Sequence, residues 1–99
     1  MAVARVSTFE GATADGIRSG LEQLKADLPS GPPPGVKSTG LTVLVDPDGG
    51  RVIWIGFFAN EDDLRESEAA LQQINPPDGM GTRSSVEVFE VGAEIRMHS

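Results

Sequence analysis

The sequence predicts an α+β chain of the ferredoxin-like kind, a βαββαβ sandwich with a four-stranded antiparallel sheet and two helices on one face. Three observations lead there. Strand–helix–strand appears twice in succession, a strong turn joins the two middle strands, and each helical stripe is bounded by a cap and a breaker.

The first strand is Val3 to Phe9, short and rich in β-branched residues, ending before Glu10-Gly11. Thr13 then caps a helix with Asp15 in its first turn, where the helix dipole favours a negative charge. Ile17, Leu21, Leu24 and Leu28 follow as one apolar stripe, and Pro29 stops it. Gly16 and Gly20 weaken the intrinsic helix propensity, so packing must hold this segment. The stretch from Ser30 to Gly40 contains Pro32, Pro33 and Pro34 between glycines. It reads either as a stiff connector or as a polyproline ligand for an SH3-like partner.

Leu41 to Val45 is the second strand. Asp46-Pro47-Asp48-Gly49-Gly50 turns the chain, and Arg51 to Phe58 returns as the third strand of an antiparallel hairpin. Asn60 caps a second helix whose first turn holds Glu61, Asp62 and Asp63. Leu64, Ser67, Leu71 and Ile74 share one face of it, and Asn75-Pro76-Pro77-Asp78-Gly79 ends it. After an irregular stretch to Ser85, Val86 to Val91 forms the last strand, with Ile95 as its furthest extension.

Residues 1–99 thus read as a single domain, small enough that a subunit interface would supplement its core. Cysteine is absent and the single histidine is the penultimate residue, which removes disulfides, thiolate sites and histidine-cluster metal chemistry. A net charge of −7 disfavours nucleic acid as a partner. No apolar run approaches the roughly 20 residues of a membrane span. The first residues lack a signal-peptide layout, so the expectation is a cytoplasmic protein.

The third strand bears on assembly. Ile53, Ile55 and Phe57 point one way while Val52, Trp54 and Phe58 point the other, so both of its faces are apolar. A half-solvated antiparallel sheet should alternate apolar with polar. Two helices cover one face only. A second copy, related by a twofold axis, is the simplest cover for the other, and a homodimer through the open sheet face is expected.

Five residues are candidates for a ligand cavity: Arg5, Trp54, Phe58, Asn60 and Ser67. Trp54 and Phe58 share a strand face and suit a small apolar or aromatic molecule, although the same residues serve equally as core or interface filling. Ser67 lies on the inward stripe of the second helix. Its hydroxyl either faces a cavity or bonds back to the preceding helical turn, and no histidine is placed to activate it as a nucleophile. Arg5, inside the first strand, either holds an anionic ligand or pairs with Glu87 or Glu90 on a neighbouring strand. Asn60 stands at the mouth of such a cavity, and capping alone accounts for it. Glu61, Asp62 and Asp63 suit the helix dipole better than a cation, because successive helical carboxylates diverge. His98 receives no role. No metal or cofactor is expected.

The Ala-Arg-Val strand ending in Glu-Gly, the Pro-Gly-Val loop, the Leu-Val-Asp turn and the acidic helix start before Leu64 together resemble a known group. It is the dimeric α/β-barrel superfamily that includes the antibiotic-biosynthesis monooxygenase type, and the layout is most similar to its small, uncharacterised bacterial members. The resemblance runs over almost the whole chain and rests on order and spacing. It implies a dimeric α/β barrel with a cavity between sheet and helices in each subunit. It also implies cofactor-independent oxidation of a small aromatic molecule in the active members, the alternative being a non-catalytic binding or structural dimer. The monooxygenase-like pattern carries a tryptophan at the end of strand three and a histidine in helix two. Phe58 and Ser67 stand at those positions here. The asparagine and histidine of haem-degrading relatives have no counterpart.

Overall fold

The computed structural model describes residues 2–27, 35–73 and 79–95. Six elements follow in the expected order: β1 (Val3–Glu10), α1 (Ala14–Asp27), β2 (Ser38–Asp46), β3 (Arg51–Phe58), α2 (Glu61–Gln73) and β4 (Thr82–Glu90). The strands form one antiparallel sheet in the order β2-β3-β1-β4, the α+β ferredoxin-like arrangement. The stop at Leu28-Pro29, the run Pro32–Pro34, Ile74, the breaker segment 75–78 and His98 lie outside the described residues.

Local chemistry sets the element boundaries. Thr13 caps α1, its hydroxyl accepting the Gly16 N–H at 3.0 Å, and Asn60 caps α2, its side-chain oxygen accepting the Asp63 N–H at 2.8 Å. Asp46 closes the β2–β3 turn by accepting the Gly49 N–H and an Arg51 guanidinium N–H, each at 3.1 Å. Those bonds, the Gly49 N–H first, hold the Asp46 carboxyl below its usual range. Their stabilisation is therefore present above the unfolded carboxylate pKa and fades as the pH falls through the lower folded value.

Two boundaries differ from the sequence expectation. β2 begins at Ser38 rather than Leu41, because Ser38 and Gly40 pair with Phe58 and Phe57 of β3 despite their weak strand propensity. β4 begins at Thr82 rather than Val86 and ends at Glu90, without continuing to Ile95. Its partner explains the end: β1 starts at Val3, which faces Glu90, so little of β1 remains for Val91 to Ile95 to pair with. One bond is left there, from the Val91 N–H to the Ala2 carbonyl at 2.9 Å.

Strand alternation places Val3, Arg5, Ser7 and Phe9 of β1 beside Phe58, Gly56, Trp54 and Val52 of β3 on the face toward the helices. The core on that face is split in two. Val3, Val36, Phe58 and Leu64 form one cluster with Ala70 and Leu71 of α2. Phe9, Ile17, Val52 and Met80 form the other, with Leu21 and Leu24 of α1, Val43 and Trp54 packed against it. On the opposite face Val6, Ile53, Ile55 and Phe57 lie under neither α1 nor α2, and Leu44 and Phe89 are 49% and 50% exposed.

The α1 glycines have a structural use. Gly16 lies against the backbone of Gly79, and Gly20 makes room for the fully buried Met80 side chain. The Thr13 N–H donates to the Gly79 carbonyl at 3.1 Å, fixing the same junction. Helix propensity alone would make Gly16→Ala stabilising by about 1 kcal/mol. The close approach reverses that sign: the new methyl would overlap the Gly79 backbone, and a net loss of about 1–3 kcal/mol is expected as a lowered Tm. An unchanged or raised Tm would contradict this packing.

Candidate functional site

The middle of the helix-facing sheet surface, between the two apolar clusters, is polar. Arg5 is 7% exposed in the centre of β1. Its Nε donates to Glu68 Oε1 of α2 at 3.0 Å, and one terminal nitrogen donates to Ser7 Oγ at 3.0 Å. The expected partners Glu87 and Glu90 are not the ones used. Glu87 faces Val6 in the β1–β4 ladder and so projects to the opposite side of the sheet. Glu90 is on the same side as Arg5, but its neighbour across the ladder is Val3, two positions away. A carboxylate descending from α2 reaches the guanidinium directly.

Ser67 is fully buried, and both capacities of its hydroxyl are committed. It donates to the Asp63 carbonyl one helical turn back at 2.7 Å and accepts the Lys37 N–H at 2.9 Å. The back-bonded reading is therefore the one the geometry bears out, with a second duty that ties α2 to the chain entering β2. An ion pair between Lys37 and Glu66 lies beside it on the surface. Each group steadies the charge of the other: their hydrogen bond raises the Lys37 pKa and lowers that of Glu66.

Phe58 is 1% exposed and packed into the α2 cluster. Asn60 spends its side-chain oxygen on the α2 cap and lines a shallow cleft of about 290 Å³ with Val3, Glu61, Asp62 and Glu90. Phe58 and Ser67 therefore belong to the α2 side, whereas Trp54 belongs to the α1 side. Gly56 separates Trp54 from Phe58 along β3, opposite Arg5. The five candidates do not converge on one point.

Trp54 is the exception in its chemistry. The ring is half-buried against Phe9, with centroids 6.2 Å apart and planes tilted by 57°. Its Nε1–H is shielded from solvent and has no acceptor among the described residues. An unpaired buried donor costs free energy on the order of 1–3 kcal/mol, and such atoms in folded proteins are few. No group of three or more metal-binding side chains occurs among the described residues. No described helix is long and apolar enough to cross a membrane.

Ser7, Phe9, Glu68 and Arg83 join the candidates only in the folded structure. Phe9 was within reach, since it continues the alternation of β1. Glu68 was not, because its partner Arg5 lies 63 residues away on another element.

Comparison with known proteins places the chain by shape alone. No family model matches it, and none of the curated proteins matches significantly. Among solved structures, Rv0793 from Mycobacterium tuberculosis matches over 100% of both chains with a TM-score of 0.50 and 16% identity. That likeness supports the small ferredoxin-like, α/β-barrel type of fold.

The Arg5–Glu68 contact should respond unequally to removal of its two partners. Glu68→Ala leaves a buried guanidinium without its counter-charge and is expected to cost about 1–3 kcal/mol. Arg5→Met takes the cation away and leaves Glu68, which is 32% exposed, free to turn to water. Thermal melts should place Glu68→Ala below Arg5→Met; the reverse order would deny Arg5 its paired, buried status.

Proposed function

We propose that this protein is a homodimer that binds a small aromatic molecule on the helix-facing side of its sheet, with Trp54 as the contact residue. The supporting observation is the Trp54 ring itself, half-buried beside Phe9 with a desolvated Nε1–H that no group among the described residues accepts. A ligand that stacks on the ring and offers one acceptor atom would satisfy both features. Binding is favoured over catalysis by what the other candidates do. Ser67, Asn60 and Arg5 are each engaged in bonds that hold the fold, and Phe58 is core. The chain also contains no tyrosine to act as a phenolic acid or base.

The dimer rests on the other face. Val6, Ile53, Ile55 and Phe57 lie opposite the helices, continued outward by Leu44 and Phe89. An apolar surface of this kind suits burial against a second copy about a twofold axis, the pairing expected from β3.

A second reading, a cofactor-independent oxygenase of the monooxygenase-like type, keeps one specific support. The same buried N–H could stabilise the oxyanion of an ionised phenol. Anthrone separates the two. Calorimetry should register its binding to the wild type and not to Trp54→Ala, while oxygen uptake stays at the level of the Trp54→Ala control. Uptake well above that control would favour the oxygenase, and absence of any binding heat would remove the ligand reading altogether. For assembly, sedimentation should give a dimer at micromolar concentration that Ile55→Asp converts to monomer. A wild-type monomer would refute the pairing.

A further inference from the structure

We infer that the Trp54 site recognises an anion, with Arg83 as the residue that selects it: the ligand is a small aromatic carboxylate or phenolate rather than a neutral ring. This deepens the small-aromatic reading above and rests on it.

The inference begins with an irregularity of β4. From Glu90 back to Ser85 this strand pairs regularly with β1, and Ser85 faces Thr8. The next pair is Phe9 with Arg83, so Ser84 is an extra residue, a β-bulge. Its hydroxyl donates to the Thr8 carbonyl at 3.2 Å. Under unbroken alternation Phe9 would face Ser84, and Arg83 would project to the open side of the sheet. The bulge instead delivers Arg83 to the helix-facing side, opposite Phe9.

There the guanidinium carbon stands 5.5 Å from the Phe9 ring centroid. Phe9 thus has Arg83 on its β4 side and Trp54 on its β3 side, at 6.2 Å between ring centroids. The second fact is the state of the donors. Arg83 Nε, like Trp54 Nε1, is shielded from solvent and has no hydrogen-bond partner among the described residues. These two atoms make up the set of buried, unpartnered side-chain nitrogens and oxygens found among the described residues, and both flank the same phenyl ring.

A cation over an aromatic face gains from that ring, but its in-plane N–H groups are left needing acceptors. An apolar ligand would leave both N–H groups unpaired. A neutral hydroxyl could serve one of them without offsetting the charge. A carboxylate or phenolate oxygen gives the Arg83 Nε–H a charged acceptor and neutralises the guanidinium, while its ring takes the place beside Phe9 and Trp54. Arg5 does not compete for that role, since its charge is already met by Glu68.

The protein carries one tryptophan, so a nitrogen-15 spectrum shows a single indole N–H to watch beside the arginine Nε–H signals. The probes are 2-naphthoate and 2-naphthylmethanol, the same ring with and without charge. Naphthoate should shift both the Trp54 indole and the Arg83 Nε–H signals. It should bind wild type roughly tenfold or more tightly than the alcohol, the share expected of a charge-assisted bond. Arg83→Met should fold, since it removes an unpaired donor, and should lose that preference while retaining alcohol binding. Arg83→Lys should keep part of it. Equal affinities of the two probes for wild type would overturn anion recognition and leave the aromatic site standing; that comparison needs no variant. If neither probe moves the indole signal, the aromatic site fails with it.

Discussion

A charged residue in the middle of a central strand restricts everything packed above it. Arg5 lies on the helix-facing side of β1, where a four-stranded sheet would otherwise build one continuous apolar core. Burying a guanidinium unpaired would cost far more than a small domain can spare. The fold answers with Glu68 from α2 and Ser7 from the same strand. That answer fixes the rotation of α2 about its axis, because Glu68 must point down where Leu64 and Leu71 also do. It also explains why the core is two clusters rather than one. Val3 and Phe58 collect under α2, Phe9 and Val52 under α1, and the polar strip between them belongs to neither.

Much of this architecture is legible in the residues. The helix starts at Thr13 and Asn60, the turn at Asp46 to Gly50 and the doubly apolar third strand are local patterns, and local chemistry decides them. What stays hidden depends on partners distant in sequence. Ser38 to Gly40 become strand only because β3 presents a free edge. The polar run Thr82 to Ser85 becomes strand because β1 extends far enough to pair with it. Gly16 and Gly20 look like defects until the 79–80 segment is seen lying against them.

The candidate site was less legible than the fold, for the same reason. Asn60 and the back-bond of Ser67 lie within a turn of their own positions, and reading them as structural follows from the sequence; the Lys37 N–H that Ser67 also accepts does not. Trp54 was identified from its place on β3. That its indole N–H meets no acceptor among the described residues emerges only from the surrounding packing. Arg83 is hidden in the sequence because its polar surroundings, Thr82 to Ser85, read as an irregular stretch before the last strand rather than as part of it.

Ser84 carries a consequence for descent. A bulge residue faces no partner across the ladder, so a chain lacking it would still set Arg83 opposite Phe9 and Ser85 opposite Thr8. Loss or gain of this one residue is therefore nearly silent in the contacts of the sheet, unlike any other length change within β4. Homologous chains can differ in length here, in the middle of a strand, where alignments ordinarily forbid gaps. An alignment that refuses the gap would set Arg83 one position out of step and lose sight of the residue it should be following.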